Sequence, residues 1–390
     1  MVLPEVSPLF HINCLLRLNQ REKGAGEPGL LNKVNKALSS LIPQPQGKVR
    51  LDPSKDALIP SDELVSGGPP PDGIPPIDAP NFVSIEEARA WLDNEEPVIA
   101  LGGKKDPIAY PLQILIWHEI VNTDMEAEPV VVTFCPLCTA AVVYSRRVGG
   151  QILDFGTSGF LYNSDLVMYD RQTRSLWSQI PGLAVSGEFA GEQLTPVAFQ
   201  VVDFETWAET FPEGKVLSKV TGKRRPYGRN PYPYYDQSYN APMMYRGEMD
   251  ERLKPMERVL GIRRGEDIKA YRFDNLARDK VLEDVIAGQE VVILFDDQVK
   301  SVVGAPEIRD SQQVGAATAY DPETDGKRLS FKAAKGNLFI DNETGSTWTS
   351  MGVAIKGKLA GTELAVVPST STFWFAWAAF FPNTEIYTKN

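Results

Sequence analysis

The chain carries one residue pattern twice. Val98-Ile99-Ala100 through Ala109-Tyr110 reappears as Val259-Leu260-Gly261 through Ala270-Tyr271, at an offset of 161 (259 − 98 and 271 − 110). The offset holds through Leu115 and Leu276, and through Val130-Val131-Val132-Thr133-Phe134 against Val291-Val292-Ile293-Leu294-Phe295. After loops of unequal length the match resumes: Asp170 and Trp177 answer to Asp341 and Trp348, Gly191 to Gly361, Trp207 to Trp377, and Phe211-Pro212 to Phe381-Pro382. Rare residues recurring in order at nearly fixed spacing mark a duplicated unit, so the fold must satisfy the same framework twice. A chain of 390 residues also exceeds what one hydrophobic core usually organises.

The predicted architecture is an α+β protein, mostly antiparallel β, with two tandem diverged repeats forming two packed lobes and an extended N-terminal arm. Residues 1–80 are the Pro/Gly-rich arm, 81–222 the first lobe, 223–258 a connector and 259–390 the second lobe. The stretch Pro43–Pro80, with Gly67-Gly68-Pro69-Pro70-Pro71 and Gly73-Ile74-Pro75-Pro76, is too poor in apolar residues to fold alone. A short helix is predicted over Leu30–Leu41, and Ser84 caps another beginning at Ile85. Val130–Phe134 and Ala140–Tyr144 read as strands, Gly149-Gly150 as a hairpin turn, and Leu112–Asn122 as a helix. The connector from Lys223 to Tyr235 is basic, aromatic and Pro-rich. It is either a dock for an anionic ligand or a packed crossover whose Tyr rings cover the lobe junction.

A net charge of −11 and a hydrophobic content of 43% suit a soluble protein with a buried core. The negative field argues against general affinity for nucleic acid or anionic lipid. No stretch approaches the roughly 20 apolar residues of a membrane span. Met1–Gln20 lacks the basic start, apolar run and small-residue cleavage site of an export signal.

The chemistry is expected where the two copies disagree. At offset 161, His118 faces Asp279, Cys135 faces Asp296 and Cys138 faces Val299. The framework persists in both copies while the soft ligands stand only in the first. The first copy is also longer between Leu153 and Asp170 (170 − 153 = 17) than the second between Leu329 and Asp341 (341 − 329 = 12). The extra residues, Gly156 to Asp165, either line a site or form a surface turn. Asp170 and Trp177, repeated in the second copy, read as architecture, and Cys14 with His11 as incidental neighbours in the arm.

With only three cysteines and two histidines, a disulfide framework is excluded and any soft-metal site must use almost every available ligand. Two thiolates separated by Pro136-Leu137 can converge on one ion. The predicted ligands are Cys135, Cys138 and His118, the ion copper or zinc. The fourth position falls to water, a substrate, Met168, Asp165 or Asp170. In an enzyme the metal would activate water, with Asp165 or Glu119 as proton carriers; in a carrier the set suits copper(I). The same pair could instead act as a metal-free thiol–disulfide couple. The strand–turn–strand setting suits a metal knuckle better than the strand–helix setting of thioredoxin. A third reading makes the chain a structural or interaction module.

Three segments resemble one microbial family. They are Ala109 to Asn122 with Trp117-His118-Glu119, Val132 to Cys138 with Cys135-Pro136-Leu137-Cys138, and Ser158 to Arg171. The family is domain of unknown function number 3179, and the resemblance spans roughly residues 57 to 388. Many of its members resemble exported proteins, so the resemblance implies an extracytoplasmic location. It brings no reaction, substrate or partner with it. Thr139-Ala140 stands where a small Gly or Asn is more familiar in that family.

Overall fold

A run such as Val130–Phe134, apolar or β-branched at every position, is stable only when covered on both faces. In the computed structural model, which describes residues 49–237 and 241–389, that run is the central strand of a three-stranded sheet. Glu128–Cys135 pairs antiparallel with Ile120–Met125 on one side (Ile120↔Thr133) and with Ala140–Ser145 on the other (Cys135↔Ala140). In the second half Gln289–Asp296 lies in the same way between Val281–Ile286 and Ala316–Tyr320. The protein is mostly β, its sheets mostly antiparallel and its helices few and short. One strand pair in each half runs parallel: Lys215–Leu217 beside Ile108–Pro111, and Glu385–Ile386 beside Asp267–Arg272.

Both halves run through one succession of elements. The helices Leu112–His118 and Phe273–Asp279 stand 161 positions apart (273 − 112), each entered from a strand hairpin. Helices Phe204–Thr210 and Trp374–Phe380 follow later, each after a strand. Between them Trp177 Nε1 donates to Asp170 Oδ2 at 3.0 Å and Trp348 Nε1 to Asp341 Oδ2 at 2.9 Å. Thr173 and Thr344 bond the same two carboxylates. This Asp–Trp brace closes a turn in each half, the architectural use expected of those residues.

The helix predicted over Leu112–Asn122 is shorter. It ends at His118 because Glu119 takes a left-handed conformation (φ 61°), and Ile120 already pairs with Thr133. The β-branched residues that follow, Ile120, Val121 and Thr123, prefer the pleated sheet. Lys280 repeats the break with φ 62°. The hairpin at Gly149-Gly150 and the capped helix after Ser84 are present; Ser84 Oγ accepts from the Glu87 amide while Glu87 accepts from the Ser84 amide.

The described part of the arm lies along the first half. Leu64–Ser66 adds an edge strand to Phe155–Tyr162, and Ile77 bridges Ile120 and Asn122 through backbone bonds of 2.9 Å. The helix predicted over Leu30–Leu41, with His11 and Cys14, falls outside the described residues. The connector is a packed crossover: Tyr232 and Tyr235 are buried, and Arg229 O accepts from Trp117 Nε1. The largest core cluster unites first-half residues such as Val132 and Phe134 with Phe373 to Phe381 of the second half. Among the described residues, no helix is long and apolar enough to cross a membrane.

Candidate metal centre

The strand Glu128–Cys135 ends on the first cysteine, and the next strand begins at Ala140. Between them Thr139 turns left-handed (φ 51°), with its amide bonded to Pro136 O. Gln179 clamps the two strand ends, its Nε2 donating to Thr133 Oγ1 at 2.9 Å and to Ala140 O at 3.1 Å. The turn therefore presents Cys135 and Cys138 from a braced frame. Both are reduced and buried, with 2% and 0% of their surfaces exposed.

Residues of the 156–165 stretch in the first half build the other wall. Phe155–Tyr162 and Asp165–Asp170 form a hairpin closed by Asn163 and Ser164, both left-handed (φ 51° and 68°), the geometry of a two-residue turn. A bulge between Thr157 and Leu161 bends the first strand, where Gly159 (φ 80°) lies against Pro69 so closely that a Cβ would meet Pro69 O at 2.1 Å. The hairpin tip rests on the cysteines: Ser164 O lies 3.8 Å from Cys135 Sγ and 3.6 Å from Cys138 Sγ. Asp165, fully buried, follows at once.

One carboxylate oxygen and the two Sγ atoms of Asp165, Cys135 and Cys138 all lie within 4.8 Å of one another. Asp165 Oδ2 accepts from the Ile180 amide at 2.9 Å, whereas Oδ1 is buried without a hydrogen-bond partner among the described residues. Glu119 adds a second buried carboxyl, for which no hydrogen-bond partner is found there either. Burial pushes the Asp165 carboxyl up to about 7, and burial followed by the charge of Asp165 pushes Glu119 up to about 8. Burial likewise raises the Cys135 thiol, and raises Cys138 well above the usual thiol range. Four acidic groups are thus crowded in a buried setting that disfavours their charged forms.

Of the predicted ligands, the structure brings Cys135 and Cys138 together and places His118 elsewhere. His118 Nδ1 lies 2.7 Å from Pro75 O, and Nε2 lies 2.6 Å from Tyr227 Oη, which is in turn 2.6 Å from Thr221 Oγ1. A carbonyl only accepts, so Nδ1 carries the proton and Nε2 accepts from the tyrosine. Both ring nitrogens are occupied, and burial pushes the imidazole down to about 4, with the charges of Arg225 and Lys223 adding to it. His118 ties the arm, the helix and the connector together. Asp165, one of several candidates for the fourth position, is the residue the structure sets beside the two cysteines. Asp170 is committed to Trp177 and Thr173, and Met168 packs in the core.

Ser164 belongs to the 156–165 stretch expected either to line a site or to form a surface turn, and its carbonyl lies against both thiols. Residues 71–384, most of the chain, match the family described as Protein of unknown function (DUF3179). The chain belongs to that family. For this DUF3179 member, Cys135, Cys138, Asp165, Glu119 and His118 all fall within the matched span, as does the second half. No curated protein and no solved structure matches it.

Proposed function

We propose that this protein binds a metal ion through Cys135, Cys138 and Asp165, in the first of two diverged copies of one unit. The carrying observation is the convergence of two thiols on a carboxylate whose Oδ1 is buried and unpartnered. A buried acceptor without a donor is costly, and a cation supplies the missing partner while letting the thiols ionise. Zinc–ligand bonds of about 2.0–2.3 Å set donors roughly 3.3–3.8 Å apart in a tetrahedron, and the three ligand atoms already lie within 4.8 Å of one another. A carboxylate beside two thiolates favours zinc over copper(I), which prefers soft donors alone. Glu119 is the nearby group able to hold a proton if the ion carries water.

The redox reading needs an exposed, activated thiol. Buried thiols raised above their usual range, in a turn between strands, weigh against it.

The test is metal analysis of protein purified without a metal-binding tag, comparing the wild type with Cys135→Ser, Asp165→Asn and His118→Gln. About one zinc per chain is expected, lost in the first two variants and retained in the third. Loss in His118→Gln with retention in Asp165→Asn would restore the Cys–Cys–His set. No metal after reconstitution under reducing conditions, with a reversible Cys135–Cys138 disulfide, would replace the metal by redox chemistry.

A further inference from the structure

The second half lacks the ligands yet touches the turn that carries them. The Cys138 carbonyl accepts two hydrogen bonds from the strand Ser369–Phe373: from the Phe373 amide at 3.0 Å and from Thr372 Oγ1 at 2.9 Å. Thr372 is 1% exposed. Arg258 stacks over the Phe373 ring, 5.0 Å from its centroid, and its guanidinium reaches Ser301 at 3.2 Å and Asp236 at 3.6 Å. Phe373 also meets the edge of Tyr235, whose hydroxyl accepts from the Met243 amide. Met243 O in turn accepts from Ser164 Oγ, at the tip of the Asp165 hairpin. One chain of contacts from the second half and the crossover thus reaches both ligand-bearing turns.

The corresponding carbonyl in the second half is satisfied locally. Val299 O accepts from the Val314 amide at 2.9 Å and the Gly315 amide at 3.1 Å, 15 and 16 positions further along the same half (314 − 299 and 315 − 299). The matching turn makes its own bond to the other half one residue on, from the Lys300 amide to Glu95 O at 3.0 Å, but the carbonyl equivalent to that of Cys138 is satisfied within its own half.

Resting on the metal-binding reading, we infer that Thr372 is a positioning residue for the metal: the second half clamps the Cys138 end of the chelate and sets the angle at which its sulfur meets the ion. A two-residue spacer between thiolates leaves the second sulfur free to swing unless its own backbone is anchored. The Phe373 amide fixes one lone pair of the Cys138 carbonyl, and the Thr372 hydroxyl fixes the other. Outer partners of this kind typically change metal affinity by about 10–100-fold when removed.

Thr372→Val keeps the side-chain shape and leaves the Phe373 amide on the carbonyl, so no acceptor is orphaned. The experiment loads metal-free protein with Co²⁺ and follows thiolate-to-cobalt charge-transfer absorption, competition affinity and thermal unfolding of the metal-free form. Wild type, Thr372→Val, Thr372→Ser and Thr372→Ala are compared. Expected are Co²⁺ binding about tenfold weaker in Thr372→Val and Thr372→Ala with a shifted charge-transfer band, and wild-type behaviour in Thr372→Ser. Metal-free Thr372→Val and Thr372→Ser should stay folded, each losing no more than the modest stability of one hydrogen bond. Unchanged affinity and spectrum in Thr372→Val, or in Thr372→Ala should the valine variant not fold, would overturn the positioning role. So would a weakening that follows lost stability and that serine does not restore. Wild-type protein without any thiolate-to-cobalt band would remove the metal reading itself, and this role with it.

Discussion

The same corner of the fold is built twice and finished differently. In the second half Asp296 occupies the position of Cys135, and its buried carboxylate receives the Gln298 amide at 2.9 Å, Asn337 Nδ2 at 2.7 Å and Ser350 Oγ at 2.8 Å. Every donor comes from the protein. In the first half Asp165 Oδ2 receives the Ile180 amide, and the side-chain groups set beside the carboxylate are the two thiols. The left-handed residue after the helix carries the same contrast. Lys280 reaches out to Asp297 at 2.6 Å, whereas Glu119 adds a carboxyl to the buried cluster. Backbone geometry is common to both corners, and the difference lies in the partners of the buried carboxylate. The second corner draws them from the chain; on the proposed reading the first takes a cation.

That contrast breaks most severely on the ligands. Cys135→Ser should abolish metal binding, while Asp296→Ser at the matching position leaves it intact; metal-to-protein ratios decide, and equal losses would dissolve the distinction. The next effect is on acid stability. The folded-state pKa of His118 is about 4, below its ordinary 6.5, so the unfolded chain binds more protons between those values. Stability therefore falls on acidification across that window, by a total on the order of 3 kcal/mol. Its counterpart Asp279, held down to about 2 from 3.8 by Arg278 and then Lys389, loses its contribution only at lower pH. Urea unfolding of the wild type and His118→Gln between pH 7 and 4 separates the two windows, and identical slopes would remove His118 from the account.

Removing the self-supplied donors' acceptor is a comparable or slightly smaller loss. Asp296→Ala leaves three donors without their acceptor and should cost roughly 2–4 kcal/mol in denaturant unfolding, without altering metal content. The smallest effect tests sameness. Trp177→Phe and Trp348→Phe each remove one indole–carboxylate bond, about 1–2 kcal/mol apiece, and the two losses should agree within error. A large inequality would mean that the braces do different work.

The strands were legible because their signal is local. Val130–Phe134, Ala140–Tyr144 and the Gly149-Gly150 turn announce themselves by β-branched runs and punctuation, and Ser84 by its partner Glu87. The helix end at Glu119 was not, because a left-handed non-glycine residue leaves no mark in composition. At the site, the cysteine pair was readable from the contrast between copies. The carboxylate beside the thiols was not readable as such: Asp165 arrives by a hairpin that doubles back, and sequence spacing says nothing of where a hairpin tip lands. His118 drew attention by its scarcity. Its real partners, Pro75 and Tyr227, lie far away along the chain and are joined to it only by folding.

The cross-half bonds to Cys138 have a consequence for synthesis. The cysteine turn leaves the ribosome well before the strand that anchors it, since Thr372 follows Cys138 by 234 positions. At about 5–20 residues per second, the nascent turn waits on the order of 10–50 s for its clamp. During that interval both thiols are open to the oxidants, metals and chaperones around the growing chain. On the proposed metal-binding reading, the ions and oxidants met during that wait compete for the thiols before the clamp is in place.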